Sequence, residues 1–191
     1  LPAWCVACLP LLVVGPAAAQ DSGWRTIEFD TVEVTRPDIT VSPDGEWLIF
    51  TMLGHLFRMP AAGGATEQLT FGPYYDKEPA FSPDGSKVAF VSDRDGSDGN
   101  VFVLDPVSGR IAQVTRDIRA GWTRLTWTPN GQAIVYLRFA GIPMAWDDLI
   151  PALVRRVSVD GGESATISAR ARRFRAVFYL PDGRLAWTVV E

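Results

Sequence analysis

The chain has 191 residues, a net charge of −4 and 47% hydrophobic residues, enough to bury one core of ordinary size. Its two cysteines, Cys5 and Cys8, lie at the start, so no later position can supply a disulfide or a thiolate metal ligand. The charge is uneven: 6 basic and 15 acidic residues from Gln20 to Gly109, against 12 and 7 from Arg110 to Glu191. Neither half interleaves aromatic with basic residues as a nucleic-acid platform requires.

Residues 1–19 carry no charge, and Trp4 to Gly15 is almost wholly apolar. Ala17-Ala18-Ala19 followed by Gln20 matches a small-x-small cleavage site, so this segment reads as a secretory signal peptide lacking its charged start. The run is too short, and too broken by Pro10 and Pro16, to span a bilayer. A buried helix is the competing reading, but the expected cap and polar face are missing. The protein is therefore predicted to be exported to the periplasm or beyond, with cleavage near Ala19–Gln20. Within residues 20–37, Ile27, Phe29, Val32 and Val34 alternate as in a strand, a candidate for closing a ring onto a final blade.

From Asp38 onward the sequence repeats. Ser42-Pro43-Asp44-Gly45, Ser82-Pro83-Asp84-Gly85, Thr128-Pro129-Asn130-Gly131 and Leu180-Pro181-Asp182-Gly183 are four copies of one tetrapeptide. Their Asp/Asn positions are 40, 46 and 52 residues apart. Proline presets the first turn position, Asp or Asn suits the next, and glycine tolerates the left-handed geometry that follows, so each copy predicts a tight hairpin turn. Apolar segments flank every copy, and Leu69-Thr70, Val114-Thr115 and Ile167-Ser168 close the first three units. The spacing from the second to the third apolar segment grows through 6, 11 and 17 residues, nearly all of the drift in period. Insertions confined to one connection mark a repeated structural unit.

Each unit offers four strand-like segments. In the second unit these are Pro79 to Ser82, Lys87 to Ser92, Asn100 to Leu104 and Ile111 to Thr115. Second strands such as Ile134-Val135-Tyr136-Leu137 are apolar throughout and need cover on both faces, whereas Ile111-Ala112-Gln113-Val114-Thr115 alternates like an outer edge. An all-β fold follows: a β-propeller of four-stranded antiparallel blades, about 38–70, 79–115, 124–168 and a partial 175–191.

The unit Phe81-Ser82-Pro83-Asp84-Gly85, Val88-Ala89-Phe90-Val91-Ser92-Asp93-Arg94-Asp95-Gly96, Val101-Phe102-Val103-Leu104-Asp105 and Gln113-Val114-Thr115 resembles the TolB-type propeller repeat, a relative of the WD-type blade. The resemblance runs from about Asp38 to the end and implies a ring of six or seven blades. About three and a half are present; with Leu1 inside a signal peptide and Glu191 inside a blade, the sequence reads as a fragment of a longer protein. Asp38 to Thr70, with Leu53-Gly54-His55-Leu56 and Ala62-Gly63-Gly64, further resembles the first blade of propellers that precede a secreted amidohydrolase domain.

Four places are candidates for chemistry or binding. Asp93, Asp95, Asp98 and Asn100 put four oxygen ligands in one loop, as calcium requires. The EF-hand pattern fails there, with Asp98 at its glycine position and Leu104 at its closing glutamate, which favours a solvated, hydrogen-bonded connection. His55, the only histidine, has no triad or zinc partner motif: Gly-x-Ser-x-Gly, His-Glu-x-x-His and His-x-His are all absent. The longest connection, Ala140 to Ala152, contains Trp146 between an apolar run and Asp147-Asp148, a candidate grip on a partner domain or peptide; a loop folded onto its blade is the plainer reading. Arg170, Arg172, Arg173 and Arg175 form a basic run, usually a solvated connection and otherwise an anion site. No catalytic residue, metal set or cofactor motif emerges.

The expected function is a non-catalytic propeller domain of an exported protein, working by scaffolding or recognition. The amidohydrolase resemblance implies a fused hydrolase partner. The alternatives are a stand-alone binding protein like TolB, which docks an envelope lipoprotein, or the propeller of a tricorn- or prolyl-oligopeptidase-type peptidase.

Overall fold

The computed structural model describes residues 37–116, 124–139, 152–168 and 174–189, all within one compact unit, Val34–Glu191. The leader, the segment that alternates from Ile27 to Val34, the connection around Trp146 and Arg170, Arg172 and Arg173 lie outside the described residues.

The described residues form fourteen strands and no helix. β1 (Ile39–Val41), β2 (Trp47–Met52), β3 (His55–Pro60) and β4 (Glu67–Gln68) make the first sheet, in sequence order. β5 (Asp76–Phe81), β6 (Val88–Ser92), β7 (Asn100–Leu104) and β8 (Ile111–Gln113) make the second. β9 (Leu125–Trp127), β10 (Ala133–Phe139), β11 (Ala152–Ser158) and β12 (Ala165–Thr166) make the third, and β13 (Phe174–Tyr179) pairs with β14 (Leu185–Val189). All pairings are antiparallel, as expected for consecutive blades of a propeller.

The hairpin turns follow one chemical plan. Ser42 Oγ donates to Asp44 Oδ1 at 2.5 Å and accepts the Trp47 amide at 2.9 Å, while the Gly45 amide returns to the Ser42 carbonyl. Ser82 and Asp84 repeat this with Lys87, and Thr128 and Asn130 with Ala133. These hydrogen bonds to Ser42 and Ser82 hold the Asp44 and Asp84 carboxyls below their usual range. The fourth turn departs: Leu180 has no hydroxyl, and its amide bonds Arg184 O, one residue sooner than Ser42 bonds Trp47 O. Gly85 packs against Pro43 and Gly131 against Pro83, so successive turns stack along one rim.

The closing Thr landmark is equally mechanical. Thr70 Oγ1 accepts the Leu56 amide and Thr115 Oγ1 the Val101 amide, each at 2.9 Å, where the third strand begins. Leu69 and Val114 donate their own amides to the carbonyls of Leu56 and Val101. A short fourth strand is thus fastened to its neighbour.

The blades stack through both faces of their second strands. Val88 and Phe90 face the first blade with Ile49 and Leu56, while Ala89 belongs to a cluster with Trp127, Ile134 and Tyr136 of the third. Val135 and Leu137, the alternate residues of β10, pack instead with Val154 and with Val177 of β13. Trp127 Nε1 donates to Ala80 O at 2.9 Å, tying neighbouring first strands together. The first strands β1, β5, β9 and β13 also touch one another in succession, which places them on the side of the propeller axis.

Two elements differ from the expected segments. β5 starts at Asp76, not Pro79, because a bulge between Lys77 and Ala80 sets two residues, Glu78 and Pro79, opposite Phe90. The first blade's connection from β2 to β3 shrinks to Leu53-Gly54, both at positive φ (53° and 80°), the geometry of a tight type I′ hairpin.

Replacing Thr115 by Val keeps the shape but strands the buried Val101 amide and removes the donor that Thr115 gives to Asn100 Oδ1. We expect Thr115→Val to lose about 1–3 kcal/mol in urea unfolding. Removal of the exposed Ser86 hydroxyl is expected to change stability by under about 0.5 kcal/mol. Equal effects of the two would contradict this role for the landmark.

Candidate functional site

Each first strand runs from one rim toward its turn, so the residues that start β1, β5 and β9 share the rim opposite the stacked turns. The connections from β2 to β3 and from β6 to β7 open on that same rim. Three residues there are equivalent in the repeat: Asp38, Glu78 and Arg124 each stand four positions before the turn's Ser42, Ser82 or Thr128. Together with Pro37, Ile39, Pro79 and Leu125 they line a cavity of about 260 Å3.

One bond across blades and three within them hold this cluster. Asp38 Oδ2 accepts the Glu78 amide at 3.0 Å, and the Asp38 amide donates to Thr51 Oγ1 at 2.9 Å. Thr51 and Leu137 return their amides to the carbonyls of Asp38 and Arg124 at 3.0 Å, anchoring both to their second strands. Glu78 sits in the bulge with φ at 52°, a left-handed conformation that costs a non-glycine residue on the order of 1 kcal/mol or more. Its Oε2 is buried and meets no donor from the protein. Burial pushes the Glu78 carboxyl up to about 7; Arg124 and Lys77 oppose the rise and the Asp38 charge adds to it.

The loop from Asp93 to Asn100 is occupied by its own hydrogen bonds. Asp95 accepts from Ser97 Oγ, Asn100 Nδ2 and Gln113 Nε2, each at 2.6 Å. Burial works against its charge, but the bonds from Ser97 and Asn100 outweigh it and the carboxyl is lowered. Asp93 Oδ1 accepts the Tyr75 amide at 2.8 Å, Asn100 Oδ1 accepts from Thr115, and Asp98 is exposed. A cation there would have to displace these donors. Among the described residues no three His, Cys, Asp or Glu side chains gather as a metal-holding group.

Between Asp93 and Asp95 of that loop, Arg94 reaches Asp76 at 2.7 Å, with the Asp76 side chain fully buried, and its guanidinium lies over Phe90, Phe102 and Tyr74. This pair locks the loop onto its blade. His55 begins β3 with Nδ1 buried and unpartnered, and Asp76 is tied to the same hairpin through its amide on Gly54 O. Trp146, Asp147 and Asp148 lie outside the described residues, between the end of β10 and the start of β11. The side chain of Arg175, in β13, is likewise not described.

Sequence reasoning missed the trio Asp38, Glu78 and Arg124. Their equal offset from the turn was visible, but an acid, an acid and a base in one column do not look like a repeat, and the fourth copy has Ala176 there.

Since Glu78 ionises less readily when folded, the folded state holds the extra proton between pH 4.5 and about 7. Stability must therefore fall as pH rises through that window and level off above it. We expect Glu78→Gln to lack this loss, gaining up to about 3 kcal/mol over the wild type at pH 8 and almost nothing at pH 4. A stability difference independent of pH in urea unfolding would contradict the buried carboxyl.

No family model matches the chain. It is 31% identical over 85 residues to the uncharacterized peptidase YuxL of Bacillus subtilis, a match covering 44% of this chain and 13% of that protein. It is 29% identical over 128 residues to tricorn protease homolog 1 of Streptomyces coelicolor, covering 65% of this chain and 11% of that protein. A solved structure assigned as TolB from Agrobacterium tumefaciens superposes with a TM-score of 0.65 at 19% identity, covering 83% of this chain and 61% of that one. The fold is thus a TolB-like β-propeller, and the chain spans only a small part of the length of the two peptidases.

Proposed function

We propose that this chain is a non-catalytic recognition propeller of an exported protein, working beside a hydrolase domain of the same polypeptide. The observation that carries the reading is the mixed-charge cavity on the rim away from the turns, where Asp38 and Glu78 are joined across a blade boundary. The leader-like residues 1–19 support export to the periplasm or beyond. No helix among the described residues is long and apolar enough to cross a membrane.

For the hydrolase itself, the two relatives named above are a peptidase and a tricorn protease homolog, which favours a peptidase over the amidohydrolase arrangement. In this reading the propeller receives a polypeptide at its rim and presents it to the catalytic domain, with the Asp93–Asn100 loop and the Trp146 connection as further contacts. A stand-alone binding protein is the second reading, favoured by the coverage of the TolB structure.

The coding sequence beyond Glu191 tests these directly. Gly-x-Ser-x-Gly there is expected; His-x-His would restore the amidohydrolase, and a stop after a few blades would leave only the binding protein. The purified chain should hydrolyse no peptide or amide substrate, and turnover abolished by a point substitution in this chain would overturn the non-catalytic reading.

A further inference from the structure

The cavity at Asp38, Glu78 and Arg124 has features that specify its ligand. Two of its three charged side chains are acids, and the orphaned atom, Glu78 Oε2, is an acceptor that lacks a donor. Asp38 is half engaged, with Oδ2 on the Glu78 amide. The backbone of Glu78 is held in a strained conformation by its bulge and by Asp38 from the neighbouring blade, so the carboxylate is presented by a built framework. A divalent cation such as calcium wants six or more oxygens, more than two carboxylates beside a guanidinium supply. A primary ammonium wants about three acceptors, which two carboxylates can supply.

We propose that this cavity binds the protonated primary amine of a partner polypeptide, with Glu78 and Asp38 as acceptors. The inference rests on the recognition reading above and names the chemistry recognised. The ammonium donates to the Glu78 carboxylate and to a lone pair of Asp38, and Arg124 sets the depth of entry by repulsion. The charged groups facing Glu78 are Arg124 from the third blade, Asp38 from the first and Lys77 on its own strand. With its carboxyl near 7, Glu78 is about one-tenth ionised at pH 6 and about nine-tenths at pH 8, so a ligand that needs the anion binds about tenfold more tightly at the higher pH.

The test titrates three peptides into the purified chain at pH 6 and pH 8, following chemical shifts of Glu78, Ile39 and Leu125. They are acetyl-Gly-Lys-Gly-amide, Gly-Gly-Gly-amide with a free amino terminus, and acetyl-Gly-(Nε-acetyl-Lys)-Gly-amide. Saturable shifts with the lysine peptide, about tenfold tighter at pH 8 and absent with the acetylated one, support the site and assign a side-chain amine. Binding of Gly-Gly-Gly-amide alone supports the amine site with the chain terminus as its source. Glu78→Gln and Asp38→Asn should each weaken binding at least tenfold while the chain stays folded.

Equal binding of the acetylated peptide, a competing response to calcium at Glu78, or no saturable shift with any peptide overturns the proposal. None of those outcomes touches the non-catalytic reading, which fails instead by turnover.

Discussion

A propeller blade is a small sheet with two apolar faces, and it cannot be stable unless both are covered. β6 and β10 show the constraint most plainly: every side chain from Val88 to Ser92 and from Ala133 to Leu137 is buried, with alternate residues facing opposite neighbours. Full burial of each Val, Leu or Phe contributes about 1.5–3 kcal/mol. That outweighs the strained backbone at Glu78, which costs about 1–3 kcal/mol. The core can therefore hold one residue in an unfavourable conformation at the axis and keep it there.

Stacking also determines what the rim can do. Each first strand is fixed by its own blade, so residues at one repeat position from consecutive blades are brought side by side. The result is a cavity whose charges come from three separate stretches of sequence, with Asp38 and Glu78 joined across a blade boundary. At Ser82 and Asp84, where the repeat is followed faithfully, and along Asp93 to Asn100, polar side chains satisfy one another and serve the scaffold. Glu78 is where the pattern breaks, through a bulge, a left-handed backbone and an acceptor without a donor.

Much of the fold was legible in the sequence because its causes are local. The Ser-Pro-Asp-Gly turn, the closing Thr and the unbroken apolar second strands each state a requirement met within a few residues, or by a neighbour of the same kind. The site was less legible because it depends on register between blades. Pro79 was read as the start of its strand, and nothing in the local sequence says that a bulge there turns Glu78 toward Asp38. The departure at Leu180 was visible as a missing hydroxyl, while its shortened turn emerges only from the backbone bonding. The Asp93–Asn100 loop was read as either a calcium set or a hydrogen-bonded connection, and the donors that Gln113 and Asn100 bring to Asp95 come into view only in the structure.

The central claim is that stacked blades bring Asp38 and Arg124 to bear on a half-buried Glu78. Carboxyl carbon-13 titration of Glu78 by nuclear magnetic resonance tests it most directly. The expected midpoint is about 7, moving down in Asp38→Asn and up in Arg124→Gln, because burial raises the carboxyl while the Asp38 charge adds to the rise and Arg124 opposes it. A midpoint at the ordinary glutamate value, unmoved by either substitution, would contradict the account.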